Sequence, residues 1–220
     1  MNEIFKKLAL MGDVWVLWVL VAASIASLGV MIERWQSFRR NKIEFGKFLD
    51  DLLKRLNVDD LTGARQIARS YSSVESRVAL AGLNHHSKGL VAMEKAMTSK
   101  LTLERAQLEK NLIILGTLGN NAPFIGLFGT VLGIIKAFND LAISGNSGVS
   151  VVMSGISSAL IATAFGIFVA IPAVAANNYF YSKVRRTMVN CHSLIDAIQA
   201  HSAKKEAFTF HSPEVEMFLS

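Results

Sequence analysis

Charge is missing from three long stretches of this chain. Residues 14–32, 111–135 and 141–182 contain no Asp, Glu, Lys, Arg or His. A helix that crosses the hydrocarbon core of a bilayer needs roughly 20 apolar residues. Hydrophobic residues make up 51% of the 220-residue sequence and are concentrated in blocks. The missing charge excludes an ordinary soluble domain and predicts three membrane spans.

The sequence also lacks the side chains that build catalytic and metal sites. Its one cysteine, Cys191, has no partner for an internal disulfide. His85 and His86 are adjacent, but no cysteine or acidic residue lies nearby at ligand spacing, so we expect no metal and no cofactor. No phosphate-binding loop, nucleophile elbow or kinase signature is present. With no acid, histidine or cysteine at membrane depth, we do not expect an enzyme.

Glycine and proline are absent from residues 90–115, which predicts one continuous helix that leads into the second span. Apolar residues recur at spacings of three and four in residues 45–56, which predicts that the first helix also continues past the membrane. The pair Asp59-Asp60 is placed to cap a helix over residues 61–71, and a further helix is predicted over 74–83.

These patterns predict an all-α membrane protein. It has three transmembrane helices with long cytoplasmic extensions and a small cytoplasmic helical bundle. The predicted segments are a periplasmic N-terminus (1–13), transmembrane helix 1 (14–32), a cytoplasmic helical region (33–110), transmembrane helix 2 (111–135), a periplasmic loop (136–149), transmembrane helix 3 with a cytoplasmic extension (150–181) and a cytoplasmic tail (182–220). We expect the tail to be partly disordered from residue 203.

Basic residues set the predicted orientation. Those near the span ends fall on one side, which the positive-inside rule assigns to the cytoplasm: Arg34, Arg39, Arg40, Lys42, Arg105, Lys110, Lys183, Arg185 and Arg186. This topology also explains the net charge of +6, so we expect no nucleic-acid partner. The first apolar run is longer than the core of a signal peptide, and we interpret it as a retained span.

Small residues line one face of the second and third spans. On the second they alternate at spacings of three and four residues: Gly116, Gly119, Pro123, Gly126, Thr130, Gly133 and Ala137. On the third they are Gly155, Ala159, Ala162, Gly166 and Ala173, with Thr163 on the neighbouring row and Pro172 predicted to kink the helix or loosen its hydrogen bonds. Such faces let helices approach closely inside lipid.

Two interpretations of these faces stay open. They are packing faces alone, with each threonine bonded to its own backbone, or they border a hydrated or partner-filled interior. The second interpretation explains why two charge-free spans carry so many polar groups, because polar groups at membrane depth are expected to face protein or water. Those groups are Thr117, Asn120, Asn121, Thr130, Ser154, Ser157, Ser158 and Thr163.

An ordered series of motifs in these two spans resembles the MotA/TolQ/ExbB proton-channel family. The motifs are Ala122-Pro123, Gly126-Leu127, Gly129-Thr130-Val131 with Gly133, Ala159-Leu160-Ile161-Ala162-Thr163-Ala164 with Gly166, and Ala170-Ile171-Pro172-Ala173. The three-span layout fits the TolQ/ExbB branch. The resemblance implies a bacterial inner-membrane stator, a homopentamer around the transmembrane helices of a TolR/ExbD-like single-span partner that carries a membrane Asp. It also implies that Thr130 and Thr163 line the ion route, through which the proton motive force drives mechanical work.

Ser158 departs from the family pattern, which commonly has a glutamate at this position. A serine carries no charge at neutral pH, but its hydroxyl can donate a hydrogen bond to a carboxylate or offer an oxygen to a cation. We therefore include Ser158 in the predicted ion path and leave proton or sodium open as the ion. The departure also suggests a gliding-motility motor subunit of the same family as an alternative, and a non-conducting membrane scaffold is a further one.

Overall fold

Helices form every regular element in the part of the chain that the structure, a computed structural model, describes. The described residues are Gly12, 14–144 and 148–210, with side chains to residue 143 and from 148 to 203. Apart from a short 3-10 turn at His86–Lys88, the elements are α1 (Val14–Arg40), α2 (Phe45–Asn57), α3 (Leu61–Ser70), α4 (Val74–Asn84), α5 (Leu90–Glu109), α6 (Leu112–Ser144) and α7 (Gly148–Phe210).

Three helical stretches are long and apolar enough to cross a membrane, judged by length and composition. They are Val14–Asn57, Leu90–Ile143 and Gly148–Ala203. Large apolar side chains on them are exposed in the single chain, including Trp18 (70%) and Phe124 (67%). A membrane helix presents such side chains to lipid or to a neighbouring subunit. The predicted all-α fold with three membrane helices is confirmed, whereas the sidedness of the segments stays a prediction.

Two helices that the sequence predicted to be continuous are interrupted. The first ends at Arg40, where the Asn41 side chain donates a hydrogen bond to the Ser37 carbonyl oxygen at 3.0 Å, and α2 begins only at Phe45. The helix from Leu90 ends at Glu109, and Asn111 adopts a positive φ of 62° before α6 begins. Asparagine tolerates this left-handed conformation better than most residues. It therefore breaks the helix here, although the segment contains neither the glycine nor the proline that the prediction took as the sign of a break.

The connection between the last two helices is shorter than predicted. α6 extends to Ser144 and α7 begins at Gly148, so most of the predicted 136–149 loop is helical. Residues 145–147 lie outside the described residues, as do most of the predicted N-terminal segment and residues 211–220 of the tail. The tail was predicted to be partly disordered from residue 203, yet α7 continues to Phe210.

The chain divides into two compact units. Of the described residues, the first contains Gly12, 14–35, 111–144 and 148–181, which include the three predicted spans. Its core joins Val16 and Leu20 of α1 to small and apolar residues of α6 and α7, namely Ala122, Leu132, Val169 and Ala170. The first helix is therefore packed against the other two.

Of the described residues, the second unit contains 36–110 and 182–210. Its short helices begin where the sequence provides caps: the Asp60 carboxylate accepts a hydrogen bond from the Gly63 N–H at 2.7 Å, and the Ser73 hydroxyl oxygen accepts one from the Ser76 N–H at 3.2 Å. The apolar face predicted in residues 45–56 is buried through Phe48, Leu52 and Leu56. The Asp60 cap and the helix from Val74 are confirmed.

Candidate functional site

α6 and α7 face one another in a constant antiparallel register, and we call the contact between them the α6–α7 seam. A Cβ atom built on Gly119 would lie 2.6 Å from Val174, and one on Gly155 would lie 2.6 Å from Ala137. The facing position on α7 falls by about one residue for each residue gained along α6. The register therefore holds from Gly119 to Ala137 on α6 and from Gly155 to Val174 on α7.

Glycines bring the two backbones into direct contact at the middle of the seam. A Cβ on Gly126 would lie 2.7 Å from the Ala162 carbonyl oxygen, and a Cβ on Gly166 would lie 2.6 Å from the Ala122 carbonyl oxygen. Backbone atoms cannot move aside as a flexible side chain can, so glycine is required at both positions. Inside a bilayer, helix association depends on this close approach because apolar surface gains nothing by leaving lipid.

The seam joins the two threonines that the sequence singled out. Their Oγ1 atoms lie 2.7 Å apart. The Thr130 hydroxyl also lies 2.8 Å from the Leu127 carbonyl oxygen and 3.3 Å from the Gly126 carbonyl oxygen. The Thr130 side chain is buried. A carbonyl oxygen can only accept, so Thr130 donates its single proton to its own helix and Thr163 donates to Thr130. The Thr163 oxygen keeps its lone pairs for another donor.

The other predicted site residues occupy different places around this pair. Ser158 is half-buried and precedes Thr163 by five residues, about 7.5 Å along the helix. Gly119, Gly126, Gly133 and Gly166 are buried, Pro123 is half-buried and Pro172 is exposed. The structure brings Thr130 and Thr163 together through a hydrogen bond, and it places Ser158 along the same helix.

The first helix contributes to the site, which the sequence did not indicate. Gly129 directly precedes Thr130, and a Cβ atom built on it would lie 3.1 Å from the Val16 side chain of α1. Trp15 packs on the same core, and its ring meets the Phe128 ring edge-on with centroids 6.2 Å apart. An apolar run shows that a span exists but does not show which of its faces packs.

Several polar side chains of the spans point away from the chain's own core. They are exposed in the single chain: Thr117, Asn120, Asn121, Ser154 and Ser157. The Asn121 amide donates to the Thr117 carbonyl oxygen at 2.9 Å, which satisfies one of its groups within its own helix. Because unpaired polar groups are expensive in lipid, this surface is suited to protein or water.

The second unit contains a buried ionic cluster that the sequence analysis missed. Glu104 is 2% exposed and is held by the Arg77 guanidinium through two hydrogen bonds of 2.8 and 2.6 Å and by Lys100 at 3.0 Å. Burial acts to raise the pKa of the Glu104 carboxyl, but the Arg77 and Lys100 hydrogen bonds outweigh it and hold the pKa below its ordinary value. Lys100 is four residues from Glu104, but Arg77 lies 27 residues away, so no local pattern reveals its pairing with Glu104.

A second buried carboxylate, Glu75, ties the C-terminal part of α7 to the second unit. The Asn190 side-chain amide donates to the buried Glu75 carboxylate at 3.1 Å. Burial raises the pKa of the adjacent Cys191 thiol to about 12, with Glu75 and Glu104 adding to the effect and Arg77 opposing it. His85 bonds through its ring to the Ala81 carbonyl oxygen at 2.9 Å, and no group of three or more metal-ligating side chains occurs among the described residues.

Comparison with known proteins shows the family of the chain. A model of the MotA/TolQ/ExbB proton channel family matches residues 70–192. The Tol-Pal system protein TolQ of Pseudomonas aeruginosa is 33% identical over 196 residues, which cover 84% of this chain and 85% of that protein. The corresponding protein of Haemophilus influenzae is 30% identical over 205 residues, covering 88% and 90%.

A further relative matches a shorter part of the chain. The biopolymer transport protein ExbB of Xanthomonas campestris pv. campestris is 40% identical over 97 residues, which cover 44% of this chain and 38% of that protein. The family match extends over more than half of the sequence and includes both threonines of the seam. The chain is therefore a member of the MotA/TolQ/ExbB proton channel family, in its TolQ/ExbB-like part.

Proposed function

We propose that this chain is the channel and stator subunit of an inner-membrane motor that couples proton flow to mechanical work. The observation that carries the proposal is the hydrogen bond of 2.7 Å between Thr130 and Thr163 at the contact of two charge-free spans. In this arrangement the Thr163 oxygen can accept a hydrogen bond from a passing water or from a protonated carboxyl group. Membership of a proton channel family supports the same assignment.

The proton carrier belongs to another chain. The predicted spans contain no Asp, Glu, Lys, Arg or His, and Thr130 and Thr163 do not ionise near neutral pH. We therefore propose a TolR/ExbD-like single-span partner whose membrane Asp exchanges protons beside the threonine pair. The subunits form a homopentamer around the partner's helices, with the N-terminus in the periplasm and the C-terminus in the cytoplasm, as the basic residues near the span ends indicate.

The coverage of the relatives favours a role like that of the Tol-Pal system proteins over a role like that of the biopolymer transport protein. Two relatives from the Tol-Pal system match at least 84% of this chain, whereas the ExbB relative from Xanthomonas matches 44%. We propose that the motor acts on the cell envelope in a TolQ-like role. The exposed polar side chains of the spans, such as Asn120 and Ser154, contact partner helices or neighbouring subunits in that assembly.

A non-conducting scaffold is the second candidate, because one observation favours it. The Thr130 hydroxyl already bonds to the Leu127 and Gly126 carbonyl oxygens of its own helix. If the threonines serve packing alone, their hydroxyls contribute only to stability. The two candidates therefore differ in what happens to ion flow when a hydroxyl is replaced by a methyl group of the same shape.

Thr163→Val separates the candidates. We expect proton flux through the complex, measured in proteoliposomes with a pH-sensitive dye, to fall at least about tenfold; in enzymes, loss of one preorganised hydrogen-bonding group beside a developing charge costs about 10²–10³-fold. The amount of assembled complex should stay at the wild-type level. The matched control is Thr102→Val, which removes an exposed hydroxyl bonded to the Thr98 carbonyl oxygen in α5. Wild-type flux in Thr163→Val would favour the scaffold.

A further inference from the structure

The seam contains a second polar group, at the end far from the threonine pair along α7. The side-chain carbonyl oxygen of Asn177 is buried and has no hydrogen-bond partner among the described residues. It faces Gly116 of α6: a Cβ at that position would lie 3.5 Å from Asn177 Oδ1 and 3.6 Å from Nδ2. Because Gly116 has no side chain, a small gap, which we call the notch, separates α6 from the Asn177 amide. No protein group in the notch donates a hydrogen bond to the Asn177 oxygen.

Asn177 and Thr163 lie on the same row of α7. They are separated by fourteen residues, two heptads, with Ala170 midway between them. On α6 the facing positions, Gly116 and Thr130, are separated by the same number of residues in the opposite direction. The two polar positions therefore lie on one continuous seam, about 21 Å apart along the helices.

The chemistry of the amide selects its ligand. A buried carbonyl oxygen without a donor is costly, and the cost is removed when a donor enters. One amide oxygen is a poor site for a metal cation, which needs several oxygen ligands, whereas a water molecule needs only a few polar partners. Water is also small enough to enter opposite a glycine when the helices separate slightly.

We propose that Asn177 binds water that enters the α6–α7 seam opposite Gly116 and that it forms a second polar position of the ion route, on the far side of Ala170 from the threonine pair. This inference rests on the proposed function for its link to ion flow. Asn177 does not titrate, so it orients water and carries no proton itself. Its action is that of a positioning residue for the hydrated path.

Hydration of the notch is testable by thiol labelling of the full-length protein in membranes. We expect the thiol of Gly116→Cys to react with a water-soluble methanethiosulfonate at least about tenfold faster than that of Ala122→Cys, because only a hydrated thiol ionises readily. Ala122 is fully buried on the same helix. The native Cys191 gives little background because it is buried with a pKa of about 12.

The contribution of Asn177 is isolated by a second substitution. Adding Asn177→Leu to Gly116→Cys should slow labelling several-fold, since leucine keeps the shape of the side chain and removes the acceptor. Asn57→Leu, at the end of α2, makes the same exchange outside the predicted spans and should leave the rate unchanged. Equal labelling rates with and without Asn177→Leu would overturn the water site.

The link to ion flow is tested in the complex that also contains the partner. We expect Asn177→Leu to lower proton flux several-fold at an unchanged amount of complex, and Asn177→Asp, which keeps an acceptor oxygen, to retain most of it. If Thr163→Val lowers flux and Asn177→Leu does not, the route exists and Asn177 is not part of it. If Thr163→Val leaves flux at the wild-type level, the proposed function fails, while labelling still reports on hydration.

Discussion

Thr130 has one proton to donate, and its own helix takes it. The Leu127 carbonyl oxygen at 2.8 Å accepts that proton, so the 2.7 Å contact with Thr163 is donated by Thr163. This order leaves the Thr163 oxygen as the acceptor that an incoming donor meets. Thr130 and Thr163 are residues of the same type, but only Thr163 keeps both lone pairs of its oxygen available to accept further hydrogen bonds.

Ser158 allows the departure from the family pattern to be tested. We expect Ser158→Glu to give a stable protein whose proton flux acquires a new pH dependence, because the position is half-buried and a carboxyl there titrates beside the route. Ala159→Glu is the control: its position is fully buried, and an unpaired charge there should prevent assembly. Proton flux is measured from pH 5 to 8. If the flux of Ser158→Glu matches that of the wild type over this range, residue 158 does not border the ion route.

Cys191 should behave as an inert thiol. With a pKa of about 12, only about one thiol in 10⁴ is ionised at pH 8, so alkylation of the folded protein should be slow and should accelerate on unfolding. Because this folded-state pKa lies above the unfolded value, the unfolding free energy should fall as the pH rises from about 9 toward 12. Mass spectrometry of iodoacetamide labelling measures the rate. An introduced thiol at the exposed position of Ser70→Cys should react quickly in the same sample.

At the scale of the helix, α6 and α7 owe their close contact to glycines whose neighbours are backbone atoms. Gly126 and Gly166 face each other, and each would place a Cβ within 3.2 Å of an atom of the opposite backbone. The hydrogen bond of the threonine pair depends on this approach, because Thr130 follows Gly126 by one helical turn. Packing and the candidate ion path are therefore set by the same residues.

Alanine at either glycine should separate the helices. We expect Gly126→Ala and Gly166→Ala to lower the unfolding free energy by about 1–3 kcal/mol through overpacking, measured by thermal unfolding in detergent. Gly29→Ala is the matched control on α1, where an added Cβ meets nothing within 4 Å. It should be neutral or slightly stabilising, since alanine favours helix over glycine. Equal stability of all three variants would contradict the tight contact.

At the scale of the whole molecule, each of the two units has its own stabilising chemistry. The unit with the spans relies on close packing of small residues and one hydroxyl pair. The unit with the short helices has an apolar core and a buried carboxylate, Glu104, paired with Arg77 and Lys100. Loss of one partner from a buried ion pair is more costly than loss of both, because it leaves a charge uncompensated.

The buried pair makes the second unit sensitive to acid. Since the folded-state pKa of Glu104 lies below its unfolded value, its contribution is present above about pH 4.5 and is lost as the pH falls through the folded pKa. We expect Arg77→Met to lower the unfolding free energy by about 2–4 kcal/mol at pH 7, and the double variant Arg77→Met with Glu104→Met to recover most of it. Urea unfolding followed at pH 7 and pH 4 measures both effects. A double variant no more stable than Arg77→Met would contradict the pairing.

The sequence by itself determined the helical class and the three spans, and it singled out Thr130 and Thr163 as candidate site residues. Each follows from a local rule: the length of an uncharged run, the spacing of small residues, and a motif within one span. Caps such as Asp60 were predictable for the same reason, because the cap and the N–H it accepts from are three residues apart. The helix break at Asn111 was missed because its only sequence signal is one asparagine in a long helical pattern.

Only the tertiary structure decided which residues of different helices meet. The bond between Thr130 and Thr163, the notch of Gly116 before Asn177 and the pairing of Arg77 with Glu104 all join positions at least 27 residues apart. Periodicity shows which face of a helix is special but not which partner covers it, because the register between helices is set by backbone contact. Here that register is fixed by glycines at which any larger side chain would meet the backbone of the opposite helix.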